Sequence, residues 1–334
     1  MKHTRIAQWR VDVSPKTQYE VTFWLAVLLL TASVSFAYFL RFPWRDMHSP
    51  QAEFFIQETT HRPFAYRVLL PVMTELARLF VPLDPMVYQG VLMFVFFVGF
   101  TVALRTLAQT FWAPSRALDY LVLFSIPLAI PLSLDHQHTY DLPLACLFTW
   151  GIVWIAQKKW VPFLFCYTIA CFNKETTLFL TVIFAVCWGQ RYNSRQFWRL
   201  LAMQLSIYAI IRVSLMYIFR HNPGTLIGYN LPYHVVAFQL YPVKSLVYLA
   251  NLVLVGALIG NRLRDKPLFL RKALFSTLPF MLIMYVFSGY PFEIRIFYEV
   301  YALLLLLCLP PRLFITAAAG EASAAGHHLP TVRA

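Results

Sequence analysis

The chain has 334 residues, of which 59% are hydrophobic, 17% aromatic and only 13% charged. Soluble domains carry about 25% charged residues, so 28 Lys+Arg and 15 Asp+Glu are too few to cover 38.8 kDa with a water-facing surface, and a mean hydropathy of +0.60 points to lipid. A net charge of +13 would suggest nucleic acid in a soluble chain. Here the basic residues stand in short clusters between apolar stretches, which argues against that partner and reads as membrane topology. The expected fold is all-α, a polytopic transmembrane helix bundle.

Crossing a bilayer takes about 17–25 predominantly apolar residues. Ten stretches come close: 20–40, 86–104, 117–134, 142–157, 159–173, 176–190, 199–219, 245–261, 273–289 and 293–310. The basic start followed by a long apolar run reads as a retained first span rather than a cleaved signal peptide. The two short stretches that meet at Asn173, Lys174 and Glu175 could form one helix. Merging them, however, would move the basic residues between 191 and 272 to the outside, against the positive-inside rule. Ten spans with both termini cytoplasmic put 18 of the 28 basic residues inside. Residues 1–315 then form one transmembrane domain, and the Ala/Gly/Ser-rich stretch 316–334 is expected to be a disordered cytoplasmic tail.

Cys146, Cys166, Cys171, Cys187 and Cys308 all fall within apolar stretches, and none lies in a zinc or redox motif. No disulfide framework is expected.

The charges left over gather in outer segments. The loop from Arg41 to Pro85 offers the carboxylates Asp46, Glu53 and Glu58 and the cations His61, Arg62 and Arg67. After Pro71, Val72, Leu76, Leu79 and Phe80 alternate with Thr74, Glu75 and Arg78, predicting a short amphipathic helix lying in the interface. Gln51 to Thr60 can form a second one. Arg67, in the run Tyr66 to Pro71, needs a partner or must snorkel to headgroups.

Asp135 to Asp141 packs Asp135, His136, His138 and Asp141 between two spans. Two readings stay open there: a divalent-cation site, or turn chemistry with Asp141 capping a helix before Pro143. No other cofactor is indicated. Lys174 and Glu175 sit between two short apolar helices, either as a local ion pair or as functional charges. Glu293, Arg295 and Glu299 lie at the outer end of an apolar helix, where Arg295 and Glu299, four apart, share a face. Arg212, mid-span, calls for an acidic partner from a neighbouring helix.

Taken together, the cytoplasmic N-terminus, the acidic first outer loop, and the strings Arg62-Pro63-Phe64-Ala65-Tyr66-Arg67-Val68-Leu69-Leu70-Pro71, Asn173-Lys174-Glu175-Thr176 and Glu293-Ile294-Arg295-Ile296-Phe297-Tyr298-Glu299 resemble the polytopic GT-C glycosyltransferases. That resemblance implies transfer of a sugar from a polyprenyl-phosphate donor on the outer face, with a catalytic acid in the first outer loop. No Asp-x-Asp string occurs, so Asp46 or Glu53 takes that place.

The expected partners are a lipid-linked sugar donor and membrane lipid. Arg67, Lys174 and Arg295 are expected to bind the phosphate, with Glu58, His61, Arg62, Asp135, His138, Asp141, Glu175, Glu293 and Glu299 as further substrate contacts. The chain has no Asn-x-Ser/Thr acceptor, which favours a bacterial inner membrane. A transporter or flippase, or a non-catalytic subunit of envelope polysaccharide synthesis, is the competing reading.

Overall fold

The structure is a computed structural model describing residues 14–41, 61–128, 139–189, 194–225 and 228–309. Twelve α-helices run through these residues. α1 is Pro15–Arg41, α2 Leu69–Arg78, α3 Pro85–Phe111, α4 Arg116–Leu128, α5 Asp141–Gln157 and α6 Trp160–Asn173. α7 is Leu178–Trp188, α8 Arg195–Ile218, α9 Leu231–Leu240, α10 Pro242–Gly260, α11 Leu268–Ser288 and α12 Tyr301–Cys308. Short 3₁₀ segments at Phe64–Tyr66, Glu175–Thr177, Leu263–Asp265 and Ile294–Val300 join them, and no strand occurs among the described residues.

Several helix starts carry their signal in the sequence. Asp84 caps α3 by accepting from the Met86 amide at 2.7 Å, with Pro85 in the first turn. Ser194 caps α8 through the Phe197 amide at 3.2 Å.

The chain is an all-α integral membrane protein. α1, α3, α8, α10 and α11 are long and apolar enough to cross a bilayer. The other five stretches read as spans correspond to shorter helices: α5 and α6 have 17 and 14 residues, α7 has 11 and α12 has 8. α4 has 13 residues up to the limit of the described segment.

Two sequence expectations are corrected. The stretch 293–310 is not one helix, because Ile294–Val300 winds as 3₁₀ before α12 begins. The segment between the expected spans 199–219 and 245–261 is not without structure, because it contains α9. That helix has apolar residues all round, so it shows no amphipathic period to read. The short helix expected after Pro71 is present as α2, beginning at Leu69, with Val72, Leu76, Leu79 and Phe80 exposed and Leu69, Leu70 and Thr74 packed inward. The helix expected at 51–60 and the tail beyond 309 lie outside the described residues.

The core is organised around α5. It is apolar on every side, the signature of a helix that sees no solvent, and 13 of its 17 residues are buried. α3, α6, α7 and the Ile294–Val300 segment all pack on it. Small residues let these neighbours approach: a Cβ on Gly99 of α3 would lie 2.9 Å from the Cys146 sulfur, and one on Gly151 would lie 2.6 Å from Leu180 of α7. The periphery is opposite in character. α10 buries only Ser245 and Ile259, and presents Val243, Leu246, Val247, Val253 and Leu254 outward, as a helix bathed in lipid does.

Two sets of buried charges mark opposite ends of the bundle. At one end, where α3 finishes and α1 and α4 begin, Arg105 binds Asp119 at 2.7 Å and Glu20 at 3.0 Å, while the Tyr19 hydroxyl donates to Asp119. Lys266 lies near the same end, in the loop after α10. Burial pushes its ammonium below the ordinary lysine range, and it donates to the carbonyls of Leu258, Ile259 and Leu307, closing the C-termini of α10 and α12. At the other end, the start of α5, the close of α6 and the C-terminal turns of α8 and α11 meet around a cavity.

Candidate functional site

The cavity has a volume of about 1030 Å³, the size of a pocket for a substantial ligand. Its floor is built where chain segments begin or end. The 3₁₀ turn Glu175–Thr177 lies between α6 and α7, Asp141 opens α5, and Ile294–Val300 precedes α12. Helix ends free the backbone and point side chains inward, so charge can collect there without interrupting a span.

Each charge on the floor is matched. Arg67 Nη2 binds Glu175 Oε1 at 2.9 Å, and Arg212 Nη2 binds Glu175 Oε2 at 3.0 Å. Lys174 Nζ binds Glu299 Oε1 at 2.8 Å, and the Thr176 hydroxyl donates to the same oxygen at 2.6 Å. Arg295 Nη1 reaches Asp141 Oδ1 and the Tyr140 hydroxyl, both at 3.2 Å, and its Nη2 pairs with Glu293 Oε1. Glu293 Oε2 accepts from the Tyr290 amide at 2.7 Å.

Tyr140 stands between the two central guanidiniums, with the carbon of Arg67 4.3 Å and that of Arg295 5.9 Å from its ring centroid. Its carbonyl accepts from the Asn173 amide nitrogen at 3.1 Å, tying α6 to the start of α5. Burial pushes the Tyr140 hydroxyl up to about 12, so it stays a neutral donor and acceptor. Burial, the largest influence, lowers the Arg67 guanidinium, but Glu175, through its charge and its hydrogen bond, and Tyr140 together make the net shift upward.

These pairings revise several sequence expectations. Lys174 and Glu175 do not form a local ion pair; each reaches a distant element. Arg295 and Glu299 do not pair with each other, because the 3₁₀ winding between them removes the i, i+4 helical register and each is engaged elsewhere. Asp141 does not cap α5: it is the first helical residue, the cap position is Tyr140 with no side-chain cap bond, and the Asp141 carboxylate goes to Arg295. Arg67 does not snorkel but pairs in the floor. Arg212 finds the acidic partner expected of it.

Of the candidate site residues, Arg62, Arg67, Lys174, Glu175, Glu293, Arg295 and Glu299 line the cavity, and Asp141 stands behind it holding Arg295. His61 is exposed and lies outside the lining. Asp46, Glu53, Glu58, Asp135 and His138 fall outside the described residues. Among the described residues no group of three or more His, Cys, Asp or Glu could hold a metal ion. The five cysteines are free and buried or half-buried.

Thr176 and Tyr208 also line the cavity, and Tyr140 stands behind it against Arg67 and Arg295; none of the three was given a role from the sequence. A tyrosine, a threonine or an aromatic in a span carries no charge to betray it.

The walls differ from the floor. Tyr208, Arg212 and Met216 stand four apart on one face of α8, and Met281, Met284 and Ser288 share a face of α11; both helices pack on α7. Phe287, Ile283 and Ile296 add to this apolar side. On the rim, Arg62 joins the segment before α2 to the segment after α8. Its amide donates to the Pro223 carbonyl at 2.8 Å, and its Nη2 donates to the Gly224 carbonyl at 2.8 Å.

Three guanidinium Nε atoms, those of Arg62, Arg67 and Arg295, are buried without a hydrogen-bond partner. The cavity thus combines cationic side chains with an apolar wall, a combination that suits an anion carrying a hydrocarbon chain. No family model, no curated protein and no solved structure matches this chain.

Proposed function

We propose that this protein is a membrane glycosyltransferase of the GT-C kind, which moves a sugar from a polyprenyl-phosphate-linked donor to an acceptor on the outer face of a bacterial inner membrane. The observation that carries this reading is the two-natured cavity. Arg62, Arg67, Lys174, Arg212 and Arg295 gather in one cavity with the apolar side chains of α8 and α11. A lipid phosphate has the same two parts, and a site that releases it as a leaving group needs fixed cations around the bridging and terminal oxygens.

In this reading the five shorter apolar helices complete ten crossings, with both termini cytoplasmic. The Arg105 cluster and Lys266 then face the cytosol and the cavity faces outward. The carboxylates spaced among the cations offset most of the positive charge, so a singly charged phosphodiester donor can bind and the polyprenyl phosphate formed on sugar transfer can still depart. The transporter reading requires charges along a path at mid-depth, whereas the cavity charges other than Arg212, which stands within α8, gather at helix ends or in the segments between helices.

Purified protein incubated with a radiolabelled polyprenyl-phosphate sugar and a hydroxyl acceptor should release free polyprenyl phosphate and label the acceptor. Binding of polyprenyl phosphate without any release would favour a carrier or an assembly subunit. The absence of both binding and release would overturn the proposal.

A further inference from the structure

The carboxylates around the cavity floor are not equivalent. Glu175 has both oxygens committed, Oε1 to Arg67 and Oε2 to Arg212. Glu293 is likewise committed on both sides, to Arg295 and to the Tyr290 amide. Asp141 holds Arg295 from outside the lining. Glu299 differs: Lys174 and Thr176 both bind Oε1, and Oε2 has no hydrogen-bond partner. The side chain is 0% exposed, yet it is part of the cavity lining.

A buried carboxylate oxygen left without a donor is costly, and the structure supplies a reason to keep one here. One oxygen is pinned by an ammonium and a hydroxyl, which fixes the group's orientation. The other meets no hydrogen-bond donor, although Glu299 belongs to the same cavity lining as Arg67 and Arg295.

Resting on the glycosyl-transfer reading, we infer that Glu299 is the general base, its Oε2 accepting the proton of the acceptor hydroxyl. The hydroxyl oxygen forms a bond to the anomeric carbon while the bond from that carbon to the phosphate oxygen breaks, its electron pair leaving on the polyprenyl phosphate. The hydroxyl proton passes to Glu299 Oε2, which returns it to water after the products leave. Arg67 and Arg295 face the phosphate, so base and leaving-group donors sit on one floor. The proton acceptor is then supplied by the segment before the last helix, in place of Asp46 or Glu53 of the first outer loop.

The test is the transfer assay on full-length protein, with polyprenyl-phosphate binding measured in parallel. E299Q keeps the shape and removes the base, so turnover should fall by at least about 100-fold, in the range expected for loss of a general base, while the donor KM and polyprenyl-phosphate binding stay within threefold. E299D keeps the charge opposite Lys174, and with it the fold, but withdraws the free oxygen by one methylene. Its turnover should fall at least about tenfold, again without change in the donor KM. D46N and E53Q should retain turnover.

If E299Q folds poorly, E299D alone decides, and turnover within threefold of the unaltered protein overturns the inference. Loss confined to D46N or E53Q overturns it as well and returns the base to the first outer loop. An unaltered protein that neither binds polyprenyl phosphate nor releases it removes the transfer reading itself, a result distinct from active variants at position 299.

Discussion

Glu175 bridges Arg67 and Arg212, with its two oxygens 2.9 and 3.0 Å from their guanidiniums. This one carboxylate joins the segment before α2 to α8 across 145 residues of sequence, which follows from the numbers 67 and 212. Replacing it by glutamine leaves two buried guanidiniums facing each other with no counter-charge. E175Q should lose roughly 3 kcal/mol of stability, the low end for a broken buried pair because Glu175 keeps some exposure. Thermal unfolding in detergent, compared with R212M, checks this: R212M, which leaves Glu175 still paired with Arg67, should cost less.

Arg295 serves three partners, Tyr140, Asp141 and Glu293. Lysine keeps the charge but cannot reproduce a planar fork of donors. R295K should weaken polyprenyl-phosphate binding about tenfold, the worth of one charge-assisted hydrogen bond, as measured by equilibrium binding of labelled polyprenyl phosphate. Unchanged binding would remove Arg295 from the anion site.

The Arg105 cluster provides the complementary control. R105M leaves Asp119 buried with only the Tyr19 hydroxyl and should cost about 3 kcal/mol, yet it lies at the other end of the bundle. Polyprenyl-phosphate binding by the folded fraction should match that of the unaltered protein. A parallel loss of affinity would mean that the two ends communicate.

Gly224 has φ +93°, and a Cβ there would lie 2.8 Å from the Arg62 carbonyl oxygen. G224A should cost about 1–3 kcal/mol in backbone strain and open the bridge on the cavity rim. Limited proteolysis should cut faster between 220 and 230 than in the unaltered protein, while α5 and its neighbours stay protected.

Sidedness has its own measurement. In a background without the native cysteines, membrane-impermeant maleimide applied from outside should label D46C, H138C and G224C, and should leave D265C untouched until the membrane is opened. The reverse pattern would invert the topology and put the cavity in the cytosol.

The apolar stretches already specified helices in lipid, because a backbone in hydrocarbon must satisfy its own hydrogen bonds and a helix is the local way to do so. The amphipathic period after Pro71 announced α2, since such a signal acts within a turn or two. The cost of burying charge also singled out Arg67, Lys174, Glu175, Arg212, Glu293, Arg295 and Glu299 before any fold was known, because an ionised group among apolar neighbours needs a partner.

Which partner each one takes was decided only in three dimensions. Glu175 could have met Lys174 beside it, and Arg295 could have met Glu299 one helical turn away. The 3₁₀ turns at 175–177 and 294–300 redirect these side chains, so Lys174 crosses to Glu299, and Arg295 turns to Asp141 at the head of α5. The stretch at 293, packed against α5 and α11, likewise winds as 3₁₀ over Ile294–Val300 before α12 instead of forming a single α-helix. Local sequence fixes which groups cannot stay alone, and only the assembled bundle brings their counter-charges within reach.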